Sequence, residues 1–306
     1  MQVLITTSTF NLDNFAQLEL LNKAQIEVKL NPFATRLTED QAIELLGANT
    51  IGLIAGLEPL TGRVLNSAKS LKVIARVGTG LDSVDLEAAK KLGITVLNTP
   101  DAPTQAVAEL TLGHILGLLR NIPQADRQIR NGVWKGLMGS LLQTKTVGII
   151  GFGRIGKRVA ALLSAFGAKI IISDEQTSST DYLNVGLDEL CAKSDVITLH
   201  LPYNASTHHI INEKQLNMMK NGSYVVNISR GGLVDEDALL AALKSGQIAG
   251  AALDCFEHEP YAGELRNFEN VQITAHMGSY ARETRDLMER EASQLLVNAL
   301  MEIKLL

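Results

Sequence analysis

The chain has 306 residues, 46% of them hydrophobic and 20% charged, enough for two domains of ordinary size with a core each. A net charge of −5 excludes the basic field that a nucleic acid or an anionic membrane surface would need, and leaves a small molecule as the expected partner. Two cysteines, Cys191 and Cys255, are too few for a disulfide framework; beside apolar neighbours they read as core fillers in a reducing, cytoplasmic setting. The start, MQVLITTSTF, has no basic region, long apolar run or small-residue cleavage site, so it reads as a first strand and not as an export signal. No run of about 18 uninterrupted apolar residues occurs, because the most apolar stretch, VAELTLGHILGLL, is broken by Glu109 and His114; no membrane span is expected.

In chain order, QVLITT, IEVKL, IGLIAG, KVIARVG and ITVLNTP alternate with amphipathic segments, the rhythm of a parallel sheet covered by helices. Residues 99–145 open with TPDAPTQ and continue as one long helical pattern that connects two lobes. The strand rhythm then restarts with KTVGIIG, AKIIISD, SDVITLHLP, SYVVNIS, IAGAALD and VQITAH, nearly continuous apolar runs of the kind buried on both faces. Six such strands suit a doubly wound nucleotide-binding sheet. After residue 280 only helical spacing remains, and that helix is expected to pack back onto the first lobe. The fold class is α/β, with two doubly wound parallel-sheet lobes: residues 1–98 plus 282–306, and residues 99–281.

At the head of the second lobe stands VGIIGFGRIG. Gly151 permits a tight turn, Gly153 lets backbone approach a pyrophosphate, and Gly156 lets the following helix pack on its strand. The helix N-terminus offers unpaired N–H groups to phosphate. Asp174 ends the next strand about 20 residues on, where a carboxylate accepts from both ribose hydroxyls and repels a 2′-phosphate, which favours NAD over NADP. The bland alternative is a tight turn followed by a surface aspartate.

Three later strands deliver Ser229 with Arg230, then Asp254 with the stretch DCFEHEP, then His276, all at carboxyl ends, where open parallel sheets bind ligands. Arg230 is either a planar fork for a carboxylate or a solvated ion-pair residue. Pro260 biases Glu259 toward an extended backbone, so Glu257 and Glu259 project to one side and His258 to the other. His276 then becomes the partner of Glu259, which would orient its imidazole for acid/base work, while Glu257 and His258 face solvent. His114 reads as a core residue of an apolar helix, His208 and His209 as residues of a polar loop, and His200 as either a cofactor neighbour or a structural residue. No histidine pair has metal-ligand spacing, so no metal is expected.

Taken together, RVGTGLDSVDLEAAKKLGITVLNTP, VAELTLGHILGLLRNIPQAD, GIIGFGRIG, LHLPYNASTHHII, NISRGGLVDEDALLAAL, GAALDCFEHEP and ITAHMGS resemble the D-2-hydroxyacid dehydrogenase family over nearly the whole chain, its phosphoglycerate dehydrogenase branch most of all. The resemblance implies a Rossmann NAD-binding domain and a discontinuous, flavodoxin-like substrate domain. It implies Arg230 on the carboxylate and carbonyl of a 2-oxo acid, His276 exchanging the proton of the C2 oxygen, and Glu259 bonded to His276, with hydride passing between C2 and the nicotinamide. NAD would meet Gly151, Gly153, Arg154, Ile155, Gly156, Asp174, Thr207, Ile228, Ser229 and Asp254, the last near the carboxamide. The backbone of Arg76, Val77, Gly78 and Thr79 would hold the substrate carboxylate. A homodimer through the NAD-binding lobe is implied, with Trp134 in the contact.

Three features depart from the branch: Gly56 and Glu58 stand where a basic residue helps hold a substrate phosphate, Ala275 replaces a common proline, and no regulatory domain is expected after the return helix. The substrate is then 3-phosphoglycerate or a related small hydroxy acid such as glycerate. The family's formate dehydrogenases carry glutamine where this chain has Glu259. A second reading is an NAD-sensing binding protein of the corepressor type, without turnover.

Overall fold

The structure, a computed structural model, describes residues 1–7, 10, 12, 16–177 and 179–306. It divides into two compact units, Met1–Pro103 with Ala281–Leu306, and Thr104–Tyr280.

The first unit runs β1 (Gln2–Ile5), α1 (Ala16–Lys23), β2 (Glu27–Leu30), α2 (Glu39–Leu46), β3 (Thr50–Ala55), α3 (Gly62–Ser67), β4 (Val73–Arg76), α4 (Leu86–Lys91) and β5 (Thr95–Asn98). Its strands lie parallel in the order β2-β1-β3-β4-β5, the flavodoxin-like arrangement. The period of two divides each central strand between two cores. Val3 and Ile5 face one cluster, and Leu4 faces the other with Leu53, Val64 and Leu65. Helix starts are set locally: Thr38 and Gln41 close a capping box on α2, and Asp85 caps α4.

The second unit runs α5 (Thr104–Leu119), α6 (Ile122–Arg130), β6 (Thr146–Ile150), α7 (Arg154–Ala165), β7 (Lys169–Ser173), β8 (Leu183–Asn184), α8 (Leu187–Lys193), β9 (Val196–Leu199), α9 (Glu213–Met218), β10 (Ser223–Asn227), α10 (Glu236–Ser245), β11 (Ile248–Leu253) and β12 (Val271–Ile273). The sheet order is β12-β11-β10-β9-β6-β7-β8, all parallel. This is the doubly wound Rossmann order, with its switch point between β6 and β9, the place where such sheets bind ligands beyond their carboxyl ends. It has seven strands and not the six expected: β8 pairs through only two residues, too few to show an apolar run. The single long helix expected between the lobes is two helices, because Asn121 takes a left-handed backbone (φ 54°) and Pro123 lies in the first turn of α6.

The last helix, α11 (Arg282–Glu302), returns to the first unit. Met288, Ala292, Leu296 and Leu300 recur every fourth residue, and all are fully buried in the cluster that holds Val3 and Ile5. At about 2 kcal/mol for each large side chain, that face stabilises the first unit enough to make the discontinuity worthwhile. Gly52 on β3 leaves the room this packing needs, since a Cβ there would meet Leu296 at 3.0 Å.

Candidate active site

The turn after β6 is shaped by glycine at each step. Gly151 has φ +90°, and a Cβ on it would meet the carbonyl oxygen of His200 at 2.6 Å. A Cβ on Gly156 would stand 2.1 Å from the Gly151 carbonyl, so α7 packs on its strand only because that position is bare. Gly153 is the opposite case: it faces open space, with nothing within 4 Å of the Cβ it lacks. It caps α7 without a side-chain bond, which leaves the first-turn N–H groups turned toward that space. Arg154 is exposed there and Ile155 half-buried.

Asp174, just past β7, accepts from the N–H of Phe152 at 2.6 Å, of Gln176 at 2.8 Å and of Thr177 at 2.7 Å. Burial pushes this carboxyl up, but the three donors outweigh it and hold the group below the usual carboxylate range. His200 bonds Thr198 through Nε2 at 3.0 Å, while its Nδ1 is buried with no partner. Burial pulls His200 down to about 3, so the ring is neutral. Thr207, in the loop beyond β9, donates its hydroxyl to the Pro202 carbonyl at 2.8 Å. An open glycine cradle at a helix N-terminus, an ionised aspartate beside it and an orphaned imidazole nitrogen at the turn fit a dinucleotide.

The reactive groups come from the neighbouring strand ends. Asn227 of β10 pairs in register with Leu253 of β11, and Leu253 with Ile273 of β12, so the residues that follow emerge level along one edge. Ile228 is buried, and Ser229 is fixed by its hydroxyl on the Leu199 carbonyl at 2.6 Å and by its N–H on Asn227 Oδ1 at 3.1 Å. Asn227 Nδ2 donates to the Arg230 carbonyl at 2.7 Å, and the half-buried Arg230 donates from Nη1 to the Ser229 carbonyl at 2.7 Å. Gly231 then lies directly on the backbone of Phe256, where a Cβ would fall 1.9 Å from its carbonyl carbon. That approach draws the Arg230 loop onto the segment Asp254–Pro260.

His276 Nδ1 stands 3.1 Å from each carboxylate oxygen of Glu259, with the two side chains 24% and 21% exposed. Glu259 is itself oriented by the Phe256 N–H, at 3.2 Å from Oε1. Because Nδ1 faces a carboxylate, it carries the hydrogen, and Nε2 is left to exchange a proton. His276 has a left-handed backbone, φ +51°.

The structure adds partners that the spacing did not show. The carboxylate of Asp254, expected near the nicotinamide carboxamide, is buried and accepts from Thr274 Oγ1 at 2.6 Å, Met277 N at 2.8 Å and Gly278 N at 2.7 Å. Glu257 is exposed, as expected, and also bonds His209 Nε2 at 2.7 Å. His258 is exposed, as its side of the strand required. The fold also assembles a donor set that no spacing could show, since Cys255 Sγ, Glu259 and His276 offer ligand atoms within 4.8 Å of one another. His114, read as core filler, is buried but bonded through both ring nitrogens.

In the first unit, Arg76 and Val77 are buried, with Arg76 Nη1 donating to the Val77 carbonyl. Val77 N–H goes to the Ala55 carbonyl at 2.9 Å and Gly78 N–H to Thr99 Oγ1 at 2.8 Å. The backbone donors of this segment are therefore partly engaged before any substrate arrives, while Thr79 is exposed. Glu58 is 1% exposed and accepts from the Thr6 hydroxyl and from Gly56 N–H, the latter at 3.0 Å. Burial pushes its carboxyl up, and the positive field of Arg76 works against that shift.

Residues 112–278 match the family model described as D-isomer specific 2-hydroxyacid dehydrogenase, NAD binding domain. Hydroxypyruvate reductase of Thermotoga maritima is 40% identical over 282 residues, 90% of this chain and 91% of that protein. D-3-phosphoglycerate dehydrogenase of Methanocaldococcus jannaschii is 41% identical over 261 residues, 82% of this chain but 50% of that protein, so the match spans about half of that longer relative. Among solved structures, a glyoxylate reductase from Paecilomyes thermophila superposes with a TM-score of 0.89 at 32% identity, covering 100% of this chain and 97% of its own. D-lactate dehydrogenase from Aquifex aeolicus, complexed with NAD and lactic acid, gives 0.83 at 29% identity, covering 99% and 96%. With the glycine cradle, the strand-end histidine and these likenesses together, the chain belongs to the D-isomer specific 2-hydroxyacid dehydrogenases, NAD-dependent oxidoreductases acting on a CH–OH group.

Proposed function

We propose that the chain interconverts a short, unphosphorylated 2-oxo acid such as hydroxypyruvate and its D-2-hydroxy acid. The observation that carries the reading is the bond of His276 Nδ1 to both Glu259 oxygens at 3.1 Å, beside the Arg230 loop. When bound, the nicotinamide of NAD gives or takes the hydride at C2. Gly151, Gly153, Arg154, Ile155, Gly156, Asp174, Thr207, Ile228 and Ser229 hold the cofactor. Nε2 of His276 exchanges the proton of the C2 oxygen, Glu259 keeps the ring in the tautomer that makes this possible, and the Arg230 fork holds the substrate carboxylate. Arg76, Val77, Gly78 and Thr79 form the substrate segment of the first unit, in which the N–H of Thr79 is the donor left for a carboxylate.

Glu58 supports the unphosphorylated substrate. Neither Gly56 nor the buried Glu58 offers the positive charge with which a basic residue at this place would attract a phosphate dianion. No observation favours an NAD sensor without turnover over this reading, and the matched relatives are oxidoreductases. A homodimer is supported by the irregular stretch after α6, where Trp134 and Met138 are 93% and 95% exposed. Cys191 and Cys255, both buried and outside any disulfide, support a cytoplasmic site of action; among the described residues no helix is long and apolar enough to cross a membrane.

The test is a panel of 2-oxo acids with NADH or NADPH, followed by absorbance. Hydroxypyruvate should turn over with NADH, phosphohydroxypyruvate should have the lower kcat/KM, and NADPH should be the poorer donor because of Asp174. Cofactor binding with no turnover of any acid would overturn the reading.

A further inference from the structure

His114 lies in the apolar helix α5, 6% exposed, yet both of its ring nitrogens are engaged. Nδ1 is 2.9 Å from Gln272 Oε1 and Nε2 is 3.4 Å from Thr274 Oγ1. Both partners belong to the strand end that delivers His276. The approach is close by construction, because a Cβ on Gly117, one turn along α5, would stand 2.7 Å from the Gln272 amide.

The proton inventory gives the chain a direction. Thr274 has one hydroxyl hydrogen, committed to Asp254 Oδ1 at 2.6 Å, so its remaining role toward His114 is that of acceptor. His114 donates from Nε2 when the Gln272 amide is turned to present its NH2 to Nδ1, which then accepts. The fully buried Asp254 carboxylate at the end of this chain also accepts from Met277 N at 2.8 Å and Gly278 N at 2.7 Å, and its backbone carbonyl accepts from His276 N at 2.8 Å. Residues on both sides of His276 are thus tied to Asp254. His276 itself sits in the left-handed region, where a non-glycine residue persists only if its surroundings over-determine it.

We infer that His114 is a positioning residue for His276, acting through Thr274 and Asp254 to hold the 274–278 turn in the shape that puts Nδ1 on Glu259. Asp254 has a role in this clamp through the bonds it accepts from Thr274, Met277 and Gly278. Ala275 bears on this, since it leaves the turn without the stiffening of a proline and the hydrogen-bond chain supplies it instead. The inference rests on the reading of His276 as the acid/base residue.

The test uses the intact protein with hydroxypyruvate and NADH, comparing His114→Leu, His114→Gln, Thr274→Val and Thr274→Ser with His276→Ala as reference. His114→Leu and Thr274→Val should each lower kcat by about 10-fold with the KM for NADH unchanged, because a small misplacement of a catalytic group acts on the chemical step. His114→Gln and Thr274→Ser keep a donor and a hydroxyl, and should recover most of that loss. The double variant should lose no more than Thr274→Val alone, since the residues act in series. Unchanged kcat in both apolar variants, or equal losses in the apolar and conservative variants, would overturn the inference while leaving His276 as the acid/base residue. Full turnover in His276→Ala would overturn that underlying reading first.

Discussion

His200 shows at the scale of one residue what burial at the cofactor turn does. In the unfolded chain its imidazole takes up a proton near pH 6.5, but in the fold it does so only near 3. Between those values only the unfolded state binds the proton, so stability falls as the pH drops from 6.5 toward 3, by at most about 1.4 kcal/mol per pH unit. Denaturant midpoints of His200→Gln should fall less steeply across that window than those of the wild type; parallel curves would show that His200 is not held neutral. The sequence left His200 undecided between cofactor and structural roles, because nothing in ITLHLP says whether a ring nitrogen finds a partner. His276 and Glu259 were legible for a different reason. Both follow successive strands of one parallel sheet, so the period of the sheet places them on the same edge. The hydrogen-bond partners of His114 and Asp254 were not legible, because they lie on other elements and the direction of a side chain inside a packed layer is not a periodic property.

At the scale of elements, the glycines after β6 show how strand, turn and helix depend on one another. Gly156→Ala places a methyl group 2.1 Å from the Gly151 carbonyl, and backbone cannot yield there as a side-chain tip could. We expect α7 to shift off β6, with a loss of about 1–3 kcal/mol in stability and weaker NADH binding. Chemical denaturation and a fluorescence titration would check both, and wild-type values in each would show that the helix does not need this contact. These glycines were readable because each carries a distinct backbone duty. The break between α5 and α6 was not, since helical residues continue on both sides of it and the left-handed backbone of Asn121, next to Pro123 in the first turn of α6, is not visible in the residue types. Strand β8 was hidden because a two-residue pairing has no period to detect.

At the scale of the molecule, each unit has its own parallel sheet, and the chain returns at its end to complete the first. That return was visible in the sequence as a helical pattern after the last strand, and its apolar face required an existing sheet to cover it. In the second unit, Trp134 and Met138 lie in one exposed stretch, 93% and 95% exposed. Trp134→Glu should convert the proposed homodimer into monomers by light scattering at micromolar concentration, with each monomer still binding NADH. A dimer that persists in this variant would show that Trp134 lies outside the contact.

The account turns on a proton exchanged at His276 Nε2 and on a ring held by Glu259. Its most direct test is the steady-state turnover of hydroxypyruvate with NADH by His276→Ala. The predicted result is a fall in kcat of about 100-fold or more, the scale of lost general acid/base catalysis, with NADH affinity retained. Turnover equal to that of the wild type would contradict the assignment.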